Sequence, residues 1–595
     1  VELTFLRIKR IYLPILIIAS CIFAGYRNIS AEEYPRAVLW SHGFSANELK
    51  AANTSLSEEA AISAELPAMV SIGGLELLAE PLPPKIGELL NNDVKLVVYL
   101  YSTQIAKEAI RNGTDVGCLE RGEPLYAHPK FIETMRDYAE RVAIRVANDP
   151  ILRKSVYGFW LIDEPEGSIA RTDLAPKKRA TYLNKVAAGF KQTYGYGKFD
   201  FPQSSLKTNS NLHDALKYAS YLRWWDDRLY ELQKTVSDTL KKHLPETRII
   251  SSDFYFSGDV AWIDPYRLSA VVDEFLCVAY SWIEGSKEGR GVLNPGFAAK
   301  YLSDLTGKPV WVHPQLIDYQ GVLAKGNPLQ GDISKRIKQV FRFGGHGVFL
   351  YAYECYKPEY PRYIRNTSPS KWAEIAESLR DISEEDSISA NKEPKIGIFV
   401  SNHSVKSRLD TDTLYWAFTL LSHSPAEQFN FISDTQLLNN PDVLKGFEVL
   451  LVPQAAIVTS DVAGIIEKYV HSGGNIVLFD PEAFHWSPDG NELRTREKLT
   501  GAKGFTKAYR GLLNSTVRIT SEDSDRQPVL RVNEPIFYRF MGLTKSIEIL
   551  GRFVLGEPAI IRNTYGSGKV IALCFNPLIR SLGIDLELVK KFLDD

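Results

Sequence analysis

The sequence predicts an α/β chain of two domains, a (β/α)8 TIM barrel followed by a second, open α/β domain. Three observations carry this reading. Eight compact apolar runs alternate with helical stretches between residues 36 and 380, a polar segment ending in proline interrupts the pattern at Ser383–Pro394, and a fresh strand–helix alternation starts at Lys395. Short apolar runs bounded by polar loops are what a parallel sheet buries on both faces.

In order, the expected barrel strands are Ala37–Ser41, Ala68–Ile72, Lys95–Tyr101, Val156–Ile162, Arg248–Ser252, Glu274–Tyr280, Pro309–His313 and Gly347–Tyr351. Helical stretches fall between or after them, among them Pro129–Asn148, Leu212–Leu244, Ser334–Phe343 and Ser370–Asp381. Eight such repeats point to a closed barrel with enlarged loops. A doubly wound open sheet is the competing architecture, but no GxGxxG follows the first strand, which removes its usual dinucleotide signature.

The barrel domain is set at 35–382 and the linker at 383–394 (SEEDSISANKEP). The domain at 395–595 opens with the strand Lys395–Val400, a helix near Thr411–Ser422 and the strand Phe447–Val452. A helix at Ser460–Ser472 then leads through Gly473-Gly474 into Asn475–Phe479. A β-rich insertion follows, then a hairpin of Pro558–Arg562 and Lys569–Phe575, and a last helix at Ile584–Leu593. The Gly566-Ser567-Gly568-Lys569 run has strands on both sides and not the spacing of a phosphate loop, so it reads as the hairpin turn.

Across 595 residues, 70 Lys and Arg face 72 Asp and Glu, a balance that offers no bulk attraction for nucleic acid. The 45% hydrophobic and 24% charged composition excludes a long disordered chain and a polytopic membrane protein. Residues 1–31 read as an export signal, with Arg7, Lys9 and Arg10 ahead of the apolar run Ile11–Gly25. Ile18-Ala19-Ser20-Cys21 resembles a lipobox, which would tether the chain to a membrane through Cys21; a cut near Ala31 and an uncleaved anchor stay open beside it. Export places the chain in the periplasm, on the cell surface or outside the cell. The five cysteines stand far apart, with no CxxC or Cys/His cluster, so neither a metal centre nor any cofactor is expected.

Catalytic groups of such a barrel stand at the C-terminal ends of the strands. The fourth run ends in Asp163-Glu164-Pro165, two adjacent carboxylates followed by a residue that leaves the sheet. A partly enclosed Glu has a raised pKa and can protonate a leaving oxygen, while an ion pair or a helix cap is the plainer account of the same residues. Other carboxylates follow the fifth, sixth and eighth runs: Asp253, Glu284 and Glu354. The fourth and eighth strands of a closed barrel face each other, so Glu354 is the first choice for a carboxylate opposite Glu164. Trp40, Tyr280, Trp282, Tyr351 and Tyr353 collect at strand tips and can stack on sugar rings or pack the rim.

Asp163-Glu164-Pro165 is similar to the Asn-Glu-Pro of clan A glycoside hydrolases, whose Glu is the acid/base. Residues 395–595 resemble the glutamine-amidotransferase-like, flavodoxin-type trimerisation domain of family 42 β-galactosidases, on Phe447–Pro453, His471-Ser472-Gly473-Gly474 and Pro558–Leu573. The resemblance implies that Glu164 is the catalytic acid/base; Glu354 is the candidate for the second catalytic carboxylate on its place opposite Glu164 alone. Asp163, Trp40, Asp253, Tyr280, Trp282, Glu284, His313 and Tyr351 are the candidate substrate-binding residues by their places at the strand tips, and the resemblance implies an oligo- or polysaccharide substrate and a homo-oligomer.

Two departures stand out. Asp163 replaces the family's Asn, and the seventh tip reads Trp311-Val312-His313-Pro314-Gln315, without the nucleophilic Glu of clan A. In the second domain Asp480-Pro481-Glu482 offers no nucleophilic cysteine, which argues against amidotransferase chemistry there. The leading expectation is an exported glycoside hydrolase. A carbohydrate-binding barrel without activity and an oligomeric envelope scaffold are the alternatives.

Overall fold

A computed structural model describes residues 37–40, 69–91, 95–100, 102–114, 116, 126, 128–163, 212–255, 263–279, 293–314, 332–351, 374–375, 377–379, 381–382, 393–408, 411–422, 428–509, 516–519, 529–531 and 536–578. The leader, most of the linker, the final helix and many strand-following loops lie outside these residues. No described helix is long and apolar enough to cross a membrane.

All eight expected barrel strands form. They are β1 Ala37–Trp40, β2 Met69–Gly73, β3 Lys95–Tyr99, β4 Val156–Asp163, β5 Arg248–Tyr255, β6 Glu274–Ala279, β7 Val310–Pro314 and β8 Gly347–Tyr351. Each pairs with the next in parallel, and β8 pairs with β1, so the sheet closes on itself. This excludes the open doubly wound alternative.

The alternation along each strand separates two apolar layers. Met69, Val97, Tyr99, Trp160, Ile250, Leu276, Trp311 and Phe349 fill the barrel interior. Leu96, Val98, Phe159, Leu161, Ile249, Phe275, Val310, Val312, Val348 and Leu350 belong to the larger core beneath the helices. Between β4 and β5 the backbones approach closely at Gly158, where a Cβ would stand 2.6 Å from the Arg248 carbonyl oxygen. Glycine is the residue that this contact admits.

The helix expected over Pro129–Asn148 ends at Ala147, and a second, unexpected one follows at Pro150–Ser155. Asp149 divides them: its carboxylate accepts from the amides of Ile151 and Leu152, and Pro150 fills the first helical position, where a missing N–H costs nothing. This short helix delivers the chain directly into β4. The long helix Leu212–His243 runs as expected and packs beside Pro129–Ala147.

The second domain is a nine-stranded sheet. Its parallel part takes β10 (Phe429–Ser433), β9 (Ile396–Val400), β11 (Val449–Gln454), β12 (Asn475–Leu478) and β19 (Gly568–Leu573), in that order. The antiparallel extension adds β18 (Pro558–Tyr565), β17 (Glu548–Phe553), β14 (Thr516–Ile519) and β15 (Val529–Arg531), while β13 (Gly504–Tyr509) and β16 (Ile536–Met541) pair separately. The β18–β19 hairpin turns at Gly566, whose φ of +62° is the sign that a two-residue turn needs there. Asp480 and Glu482 are occupied structurally. Asp480 accepts from the Ala455 and Glu482 amides, and Glu482 accepts from the Tyr538 hydroxyl.

The two domains meet through buried polar groups. Lys406 of the short helix Asn402–Arg408 pairs at 2.5 Å with Asp226 of the long barrel helix, and both side chains are almost fully enclosed. Asp264 accepts from the Thr435 hydroxyl, and the Asp264 amide points at Asp226. Asp434 accepts from the backbone and side-chain amides of Asn402 and from the Thr435 amide. Asp304 accepts from the Phe431 amide and from Lys300, which also reaches Asn430.

Burial pushes the Asp434 carboxyl up to about 7, with the negative charge of Asp264 adding to the effect; the Asn402 hydrogen bonds and Lys406 act against it. Burial and Asp226 raise Asp264 as well. An acid whose folded-state pKa lies above its unfolded value of about 4 binds its proton more tightly when folded. Its contribution is complete below that lower value and is lost as the pH rises through 7. Replacing Asp434 by Asn removes the titration. The variant's melting temperature is expected to gain on wild type between about pH 4 and 7 and to hold that gain above it, and a pH-independent difference would refute the assignment.

Candidate active site

Strand register decides which of the expected residues meet at the C-terminal rim. Trp40 and Tyr351 are paired Cα partners across β1 and β8, the last residues of their strands. Asp163 closes β4 and is partnered by Ser252 of β5. Pro314 ends β7 opposite Ala279, the last residue of β6. For Trp40, Asp163, Asp253 and Tyr351 the structure describes the strand position and not the side chain. Glu164, Glu354, Tyr280, Trp282, Glu284 and Tyr353 lie outside the described residues.

Asp253 requires a correction. It was expected in the loop after the fifth strand, but β5 continues to Tyr255 and Asp253 lies inside it. The reason is a pair of irregularities in register. From Trp160 to Asp163 β4 advances three residues while β5 advances two, from Ile250 to Ser252. From Ser251 to Phe254 β5 in turn advances three against the two of β6. One extra residue in each strand bends it and re-aims the side chains that follow, a device common beside active sites. Both bulges fall in the upper halves of the two strands that carry neighbouring carboxylates.

Beneath the rim the barrel is closed by aromatic rings. Tyr99 stacks on Trp160 with centroids 4.4 Å apart, and Phe349 meets Trp160 edge-on at 5.3 Å. The Trp160 indole N–H donates to the Ile162 carbonyl oxygen at 2.7 Å, which fixes the ring against the backbone just below Asp163. His313, expected to bind substrate, is only 2% exposed and lies edge-on to Phe349 at 6.3 Å. Burial drives its pKa down to about 3, so the imidazole is neutral at any ordinary pH. It is a polar element of the barrel interior, still able to donate one hydrogen bond through its single N–H but carrying no imidazolium proton for acid catalysis.

One buried carboxylate was not singled out from the sequence. Glu274 opens β6 and is fully enclosed, accepting from the Tyr157 hydroxyl at 2.5 Å and the Trp311 indole N–H at 2.8 Å. Burial raises its pKa, with these hydrogen bonds opposing the rise. It stands at the N-terminal end of its strand, at the far end of the barrel from the tips. It therefore ties β4, β6 and β7 together at the barrel base. A Glu at the head of the apolar run EFLCVA is the sequence signal that marks it.

No protein-family model matches the chain, and no curated protein matches it either. Solved structures do. The chain is similar to the β-galactosidase from Bacillus circulans sp. alkalophilus, at 13% identity and a TM-score of 0.65, over 95% of this chain and 88% of that one. It is similar to the β-galactosidase of the Antarctic haloarchaeon Halorubrum lacusprofundi, at 15% identity and a TM-score of 0.68, over 94% and 89% of the two chains. A third likeness is to an exo-carrageenase of glycoside hydrolase family 42 from Bacteroides ovatus, at 13% identity and a TM-score of 0.54, over 91% and 81%. The barrel and the domain after it are thus both shared, and the fold is the one that the family 42 resemblance implied.

Proposed function

We propose that the chain is a glycoside hydrolase that cleaves an oligo- or polysaccharide, with Glu164 as general acid/base. The observation that carries the reading is the end of β4. The strand runs through Asp163 to the C-terminal rim of a closed barrel, over a bulge, and Glu164 is the next residue. The end-to-end likeness to β-galactosidases and an exo-carrageenase supports the same chemistry on rim carboxylates. The acid protonates the glycosidic oxygen as the bond to the anomeric carbon breaks, and a second carboxylate takes the nucleophile's or base's part. Glu354 is our first assignment for that role, because β8 lies diametrically across the closed barrel from β4. Asp253, one residue beyond the partner of Asp163, and Glu284 are the alternatives. The paired positions of Trp40 and Tyr351 suit an aromatic platform for a sugar ring.

A second reading, a binding barrel without turnover, is favoured by the seventh tip, where His313 and Pro314 end the strand and no carboxylate follows until Asp318. Incubation with galactosidic, mannosidic and sulfated galactan substrates separates the two. Release of reducing sugar that Glu164→Gln abolishes supports the hydrolase. Saturable binding without release by wild type supports the binding protein. Export through the leader and assembly through the C-terminal domain belong to the same proposal. N-terminal sequencing of the mature chain and light scattering check them, and an intact leader or a monomer at all concentrations would count against each in turn.

A further inference from the structure

The chain after β12 builds a small hairpin on the second domain. The Phe484 and Trp486 amides donate to the Ala455 and Ala456 carbonyls, Trp486 bridges to Glu492, and the Leu493 amide returns to the His485 carbonyl. The helix Thr495–Thr500 follows at once. This fold-back brings His485, Glu492 and Glu497 together, with one donor atom from each within 4.8 Å of the others.

Two of these residues carry an orphaned polar atom. The Nδ1 atom of His485 and an Oε atom of Glu497 are shut off from solvent and have no hydrogen-bond partner. Shielded lone pairs with no partner are costly, and two carboxylates at this range repel. Of the nearby cations, Lys498 is engaged elsewhere, while Arg496 is buried with its Nε and one Nη lacking hydrogen-bond partners and spreads its charge over Asp480, Glu482 and Glu497. Lys498 pairs with Glu467 at 3.1 Å, and the Arg496 guanidinium lies over the Phe505 ring, its charge felt by Glu497 without a hydrogen bond between them.

We propose that His485, Glu492 and Glu497 bind one divalent transition cation of the zinc type. Ligand atoms of a tetrahedral ion with bonds of about 2.0–2.2 Å stand roughly 3.4 Å apart, so the set must draw in by up to about 1.4 Å, which the exposed Glu492 side chain is free to do. One imidazole and two carboxylates suit zinc or manganese, and the imidazole disfavours calcium and magnesium, which take oxygen. The two carboxylates and a neutral imidazole match the ion's charge, and the open side of Glu492 leaves room for water. The bound ion would clamp the hairpin to the helix that follows it. It has no part in the rim chemistry, so this proposal and the glycosidase reading stand or fall separately.

Isothermal titration of the full chain with Zn²⁺ tests it. One saturable site is expected, with Mg²⁺ and Ca²⁺ failing to compete. Glu492→Gln keeps the hairpin, which uses only its backbone, and should weaken that site at least about tenfold, since even loss of a ligand's supporting partner costs that much. His485→Ala should remove it. Wild type that takes up no Zn²⁺, or a Zn²⁺ site that Glu492→Gln leaves at full affinity, overturns the proposal, whether or not His485→Ala folds.

Discussion

On a glycan that the chain cleaves, Glu164→Gln is expected to lower kcat at least about a hundredfold while the unfolding midpoint stays at the wild-type value. General acid–base assistance contributes about 10²–10⁴-fold in rate, and the amide keeps the shape of the acid while carrying no proton to give. Because Glu and Gln are nearly isosteric and the substitution removes only the acidic proton, stability and turnover should separate. Substrates with activated leaving groups need less protonation, and the variant should recover part of its rate on an aryl glycoside. Near-wild-type turnover would end the assignment of Glu164. Harmless Glu354→Gln alongside a crippled Glu164→Gln would move the second carboxylate to Asp253 or Glu284 and leave the barrel chemistry in place.

The other large effect is structural. Lys406→Met leaves the Asp226 carboxylate buried without its cation, with only a long backbone contact from Asp264 in its place. Removing one partner of a buried ion pair costs about 3–5 kcal/mol, whereas replacing both by apolar groups of similar volume is often neutral. The expected result in urea is a strong loss of stability for Lys406→Met and substantial recovery in Lys406→Met/Asp226→Leu. If the single variant unfolds at the wild-type midpoint, the pair does not hold the domains together.

Much of the architecture was legible because parallel strands are buried on both faces and so appear as unbroken apolar runs, as in LVVY of β3 and VFLY of β8. Strand ends were less legible. β4 and β5 outrun their expected bounds through bulges, which depend on the neighbouring strand's register and leave no trace in composition. The strand FNFIS of β10, half polar and short, was passed over because it resembles a loop until β9 pairs with it. The carboxylates of the fourth tip stood out because two adjacent acids end an apolar run immediately before a proline. Glu274 did not, because its partners Tyr157 and Trp311 are far away in sequence. The link between Lys406 and Asp226 was hidden for the same reason, as 180 residues separate them.

The place of β19 in the nine-stranded sheet also governs when that sheet can exist. It is the last described strand of the chain, yet it lies at the middle of the sheet, parallel to β12 on one side and antiparallel to β18 on the other. As the polypeptide leaves the ribosome, β9, β10, β11 and β12 can assemble early, but β12 then presents a bare edge until Gly568–Leu573, about ninety residues further on, has been synthesised. An open parallel edge of apolar strands is an invitation to mispairing. The second domain is therefore committed late, and a chain released before residue 573 would carry an unfinished sheet into solution.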